Sequence, residues 1–236
     1  MTAFPGGTSV SRLTVYDWPT PDGLRGGSPH LHTVSAEGYV VLSGTGSVET
    51  LSSVGHEEHE LTAGRVLWFT PGTVHRLINT DGDLELVVVM QNAGLPEAGD
   101  AVFTFPPDVL ADPERYRQAA ALPPADNDAT LADAALQRRD LAIEGYLRLR
   151  DRIRGGDHSA LTDLHNAGAA LVRDRVGQWR EQWRRKPLAQ AVATGVQLDA
   201  LGDGNAAHLA EAAVYTAAGP TPRYGMCGHL STWQLA

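Results

Sequence analysis

From residue 10 to residue 95 the chain is cut into short segments of β character, and this restricts the fold more than any other feature. LTVYDW, EGYVVLSGTGSVETL, HEEHELTAG, RVLWFT, VHRLINT and LELVVVMQ are rich in Val, Leu, Thr and aromatic residues, and each is bounded by Gly, Pro, Asp or Ser. Many short strands at such spacing suggest a sandwich or a barrel. SGTG at 43–46 and TDGD at 80–83 read as hairpin turns. Alternation along RVLWFT puts Val66 and Trp68 on one face and Leu67 and Phe69 on the other, with the inner face left open.

The pattern changes at Pro106-Pro107. Beyond it Ala, Leu, Arg and Asp dominate and β-branched residues thin out. Helices are expected within 108–121, over 130–154 with Gly155-Gly156 as a stop, over 158–186 with Pro187 as an end or kink, and over 188–201 and 206–218. Asn205 caps the last of these and Gly219-Pro220 closes it, whereas LPPADNDAT (122–130) reads as a linker and TPRYGMCGHLSTWQLA has no period. The fold class is therefore mainly β plus α. Residues 10–105 are expected to form a sandwich or a barrel, and 106–236 a helical extension that packs on it or builds a dimer interface.

The chemistry concentrates in two blocks. In HLHTVSAEGYVVLSG (30–44), His30 and His32 are two apart and share one face of a strand, and Glu37 begins the next strand. In GRVLWFTPGTVHRLIN (64–79), His75 follows a Pro-Gly turn. Three imidazoles and one carboxylate suit a single divalent transition metal: Fe, Mn, Co, Ni, Cu or Zn. Such a site carries a net charge of about +1 and leaves up to about two positions on an octahedral ion for water, substrate or dioxygen.

Both blocks resemble the signature motifs of the cupin superfamily, G(x)5HxH(x)3-4E(x)6G and G(x)5PxG(x)2H(x)3N. His30, His32, Glu37 and Gly44 match the first, and Gly64, Gly72, His75 and Asn79 match the second in spacing. Leu24 stands where the leading glycine belongs, and Thr70 replaces the family's proline, with Pro71 one place later. The resemblance implies a double-stranded β-helix with the metal inside, and a homodimer. It does not fix the reaction, because the superfamily spans dioxygenases, isomerases, epimerases, decarboxylases, storage proteins and regulators.

The leading expectation is a metal-dependent enzyme acting on a small oxygenated organic molecule, most plausibly a dioxygenase, with Glu37 as a ligand that can also act as general base. A sugar isomerase or epimerase would need a second titratable group, for which only Glu49 and Tyr39 offer themselves. A non-catalytic small-molecule sensor is the third class.

Charge argues against nucleic acid as a partner. Residues 1–106 carry only Arg12, Arg25, Arg65 and Arg76 against twelve acids, and residues 107–236 carry fifteen basic against sixteen acidic residues. The basic residues around Trp179 and Trp183 read as a solvated helix face, and His56 and His59 in GHEEHE as an exposed hairpin tip. Cys227, the single cysteine, reads as a buried thiol. No apolar run approaches the ~20 residues of a membrane helix. The first fifteen residues lack a secretion signal, so the expected location is cytoplasmic.

Overall fold

The computed structural model describes residues 4–124 and 127–233, so parts of the linker and of both termini discussed above lie outside the described residues. The strands are β1 (Ser9–Val15), β2 (His30–His32), β3 (Glu37–Ser43), β4 (Thr45–Ser52), β5 (Gly55–Thr62), β6 (Val66–Phe69), β7 (Val74–Asn79), β8 (Glu85–Met90), β9 (Ala101–Phe103), β10 (Thr221–Tyr224) and β11 (Gly228–Thr232). They form two antiparallel sheets, ordered β10-β11-β1-β8-β3-β6 and β5-β4-β7-β2-β9. Leu13, Tyr39, Val41, Val48, Leu77 and Leu86 fill the space between them. Alternation therefore decides the open face of β6: Phe69 points inward, and Val66 and Trp68 face out.

SGTG and TDGD are not hairpins. Each joins a strand of one sheet to a strand of the other, β3 to β4 and β7 to β8. The two crossings touch. Gly44 has φ +77°, and a Cβ there would stand 2.3 Å from the Asp83 carbonyl oxygen, so only glycine fits. Within the second crossing, Asn79 Oδ1 accepts from the Gly82 and Leu84 amides, at 2.9 and 3.2 Å. GHEEHE is likewise not a tip but lies along β5, the edge strand beside β4.

The helices are α1 (Pro107–Leu110), α2 (Pro113–Ala120), α3 (Asp128–Arg154), α4 (Ser159–Val172), α5 (Val176–Trp183) and α6 (Ala189–Gly202). Asn127 caps α3 by accepting from the Thr130 amide at 2.8 Å. Ala135, Ala142, Tyr146, Leu149 and Ile153 then give α3 one buried stripe. This stripe meets Leu31, Leu51, Val74 and Val102 on the outer face of the five-stranded sheet, forming a second core. Helix and sheet come close enough that a Cβ on Gly145 would stand 2.0 Å from the Thr104 carbonyl oxygen.

The region after residue 106 departs from expectation in three places. The helix expected over 158–186 is interrupted by a 3-10 turn at Arg173–Arg175 and a π turn at Arg184–Leu188 that holds Pro187. Residues 207–211 form a 3-10 turn and no helix covers 206–218. Val214 and Tyr215 are 93% and 68% exposed, and a short helix without a packed face is marginal in water. The aperiodic tail holds β10 and β11, and β11 pairs with β1 in register Leu13↔Leu230. The chain thus returns to the barrel after its helices. No helix among the described residues is long and apolar enough to cross a membrane.

Candidate metal centre

The strand ladder brings the four expected ligands together. β2 lies between β7 and β9, with His30 directly opposite His75. β3, in the facing sheet, presents Glu37. All four residues are buried, and one ligand atom from each lies within 4.8 Å of the others. Glu37 Oε2 is 2.9 Å from His75 Nε2, 3.2 Å from His32 Nε2 and 4.0 Å from His30 Nε2. The Nε2 atoms of His30 and His75 are 3.1 Å apart.

The far side of each ring shows what the near side must be. His30 Nδ1 donates to the Ser28 carbonyl at 2.9 Å, and His75 Nδ1 to the Thr73 carbonyl at 3.1 Å. His32 Nδ1 donates to Asp100 Oδ1 at 2.6 Å. Backbone carbonyls accept only, so in the neutral rings of His30 and His75 the proton sits on Nδ1 and Nε2 is a bare lone pair. The Asp100 carboxylate orients His32 in the same way, an arrangement typical of metal-bound histidine. Lone pairs from three imidazoles and a carboxylate therefore converge, and Glu37 Oε2 has no hydrogen-bond partner of good geometry. A proton shared with His32 would satisfy one contact, whereas a cation satisfies all four. The residues fit a divalent metal.

The charges agree with this arrangement. Burial, followed by the neighbouring His75, holds His30 well below the usual imidazole range. Burial alone would raise Glu37, but His75 and His32 beside it pull its carboxyl well below the usual range. Burial also opposes charge on His32, yet Asp100 and Glu37 together push it up to about 10.

Around the ligands, Phe69 stacks on His75 with ring centroids 4.7 Å apart. Tyr39 is fully buried, its phenol pushed well above its usual value by burial and by Glu37. A cleft of about 300 Å³ opens from His30, His32 and Glu37 past Leu13, Val88, Met90 and Leu230. His75 lies deeper than this opening. Cys227 is buried in the cleft wall, its thiol pushed up by burial and then by Glu37.

Two residues of this region escaped the sequence. Asp100 lies just before β9, a three-residue strand too short to show a period, and nothing in the sequence ties it to His32. Arg138, on α3, also lines the cleft, and it lies off the apolar positions that give the helix its period. Conversely, Glu49 faces away from the ligands. It sits under α3, with Oε1 3.2 Å from His56 Nε2 and 3.5 Å from Arg150 Nη1, and Oε2 3.5 Å from Arg76 Nη1.

Residues 20–90 match the family model described as Cupin domain. No curated protein matches the chain in sequence. Among solved structures the chain is similar to PAC13 of Streptomyces with uridine, 20% identical, covering 42% of this chain and 69% of that one, with a TM-score of 0.32; Pac13 is a nucleoside dehydratase. It is similar to a Klebsiella pneumoniae protein with a double-stranded β-helix domain, at 19% identity, 37% and 67% coverage and a TM-score of 0.28. It is also similar to the WlaRB TDP-quinovose 3,4-ketoisomerase of Campylobacter jejuni, at 14% identity, 35% and 60% coverage and a TM-score of 0.29.

Proposed function

The chain belongs to the cupin superfamily through its barrel, and on that premise we propose that His30, His32, Glu37 and His75 hold one divalent transition metal and that the protein is a metal-dependent oxygenase acting on a small oxygenated organic molecule. The observation that carries the metal is the convergence of four lone-pair donors whose rings are fixed from behind by Ser28, Thr73 and Asp100. When bound, the metal supplies a Lewis acid for an enolate, phenolate or carboxylate oxygen and, if it is redox-active, electrons for dioxygen.

The protein's own residues do the rest. The apolar walls exclude water from the reacting end of the cleft, which strengthens each electrostatic contact there. Glu37 receives or returns a proton at Oε2 when it loosens from the site. The isomerase reading weakens because its two candidate bases fail. Glu49 is outside the barrel, and Tyr39 is fully buried and does not line the cleft.

The test is metal analysis of purified protein followed by oxygen-uptake assays on enolic and catecholic compounds, with and without added Fe, Mn, Co, Ni or Cu. Uptake that requires both metal and an enol or catechol supports the reading. A metal-loaded protein that consumes no oxygen with any of them overturns the oxygenase assignment and leaves a sensor or storage role.

The homodimer implied by the resemblance has a surface to use. Trp68, Val66 and Leu42 lie exposed on the outer face of the six-stranded sheet, 73%, 56% and 45% accessible. A second copy covering this patch would give a two-fold interface. Sedimentation at micromolar concentration is expected to show a dimer for the wild type and a monomer for Trp68→Glu. A monomeric wild type sinks the proposal.

A further inference from the structure

We propose that Arg138, delivered to the cleft by α3, binds the anionic group of a substrate whose other end chelates the metal; this rests on the metal-centre reading above. The substrate class is an organic acid with an apolar body, a chelating oxygen pair at one end and a carboxylate at the other.

Arg138 is a cation without a counter-ion. Its Nη1 donates to the Ala120 carbonyl at 3.2 Å and its Nη2 to the Gly225 carbonyl at 2.7 Å. A guanidinium has five N–H donors, so three remain, among them Nε, which is buried and has no partner. Among the described residues no Asp or Glu pairs with it. The ionisable groups facing it are Tyr16, Cys227 and Tyr116, and burial raises all three, so none is charged near neutral pH. The contrast with the two fully buried arginines is direct, since Arg76 pairs with Asp22 and Arg139 with Asp140.

Position supports the same role. The guanidinium carbon lies 5.3 Å from the centre of the Phe103 ring, and Phe103 is the cross-strand partner of His30. Arg138 and the ligands His30, His32 and Glu37 line one cleft. Leu13, Val88, Met90, Met226 and Leu230 between them offer an apolar wall. A partly buried, unpaired guanidinium is costly in an empty cleft and favourable beside a carboxylate, to which it can present parallel N–H groups. The arrangement also gives α3 and the β10–β11 hairpin a task, because Gly225 holds the guanidinium in place.

The experiment uses cobalt-loaded protein and a matched pair of chelators, 4-methylcatechol and 3,4-dihydroxyphenylacetate, followed by the cobalt absorption bands. Both chelate through the same two oxygens, and only the second carries a carboxylate. The acid is expected to bind the wild type about tenfold or more tightly than the neutral compound. In Arg138→Gln the advantage should vanish, with cobalt content and affinity for 4-methylcatechol unchanged. Equal binding of the two chelators by the wild type overturns the proposal with no mutant needed, as does a variant that weakens both equally. Failure of the metal reading looks different: no cobalt is retained and neither chelator alters a spectrum.

Discussion

His75→Ala is expected to abolish stoichiometric metal binding while the barrel stays folded. His75 is the most deeply buried of the four ligands, and its Nε2 stands nearest to both His30 Nε2 and Glu37 Oε2. Its removal leaves two imidazoles and a carboxylate around an enlarged hole. Outer-sphere partners of metal ligands are worth about 10–100-fold in affinity, and losing a ligand outright should cost more than about 100-fold. The fold does not depend on the imidazole, because the surrounding core of Leu77, Val48 and Tyr39 is apolar, so the metal-free variant should lose only about 1–3 kcal/mol. The checks are metal content after dialysis and thermal melting with and without metal. Wild-type protein should be stabilised by about 2.7 kcal/mol at a metal concentration 100 times its Kd, and the variant not at all at that concentration. Unchanged metal content in the variant would end the ligand assignment.

The candidate ligands were readable because His30 and His32 are two apart on a strand and share a face, and because both blocks carry the cupin motif spacing. That the shared face is the inner one comes from the resemblance, not from spacing. Alternation of period two places β3, β4, β7 and β8 close to their observed limits, whereas LTVYDW overlaps only the last three residues of β1, because β1 begins at Ser9 and Tyr16 and Trp18 lie beyond its end. It could not show which strands share a sheet. SGTG and TDGD have hairpin composition, and their role as crossings depends on Gly44 lying against Asp83, a contact between segments about forty residues apart in sequence. Asp100 and Arg138 were illegible for a related reason. Their meaning lies in what they touch, His32 across a strand pair and the cleft across a helix–sheet boundary, and neither contact leaves a period. The β10–β11 hairpin is short and partly exposed, and β11 is defined by pairing with β1 rather than by its own composition. The missing helix over 206–218 shows the reverse error, since capping signals cannot substitute for a packed face.

Arg76→Met is expected to destabilise the protein by about 3–5 kcal/mol, because it strands buried carboxylates. Arg76 is adjacent to His75 on β7 and points the opposite way, out of the barrel and under α3, with no exposed surface. Its Nη1 and Nη2 grip Asp22 at 2.6 and 2.9 Å, Nη2 also donates to Thr20 Oγ1 at 3.3 Å, and Nη1 lies 3.5 Å from Glu49. The guanidinium carbon is 5.8 Å from the centre of the Tyr146 ring. These contacts tie the 17–29 loop to the sheet, and Arg139 of α3 adds bonds to the Trp18 and Pro19 carbonyls at 2.9 and 2.7 Å. The same loop contains Ser28, whose carbonyl sets the His30 ring, so the network also supports the candidate metal centre from outside. The pH dependence has a definite sign. Burial works against the Asp22 carboxylate, but Arg76 and Thr20 hold its pKa at about 2, below the usual 3.8. Its contribution of about 1–2 kcal/mol is complete above pH 4 and is lost as pH falls through 2. Asp22→Asn should remove that acid limb and lower stability at neutral pH, because the buried guanidinium loses its main partner. Urea unfolding of the wild type and both variants from pH 7 down to pH 2 measures each quantity. An Arg76→Met protein within about 1 kcal/mol of wild type at pH 7 would show that the network does not hold the loop.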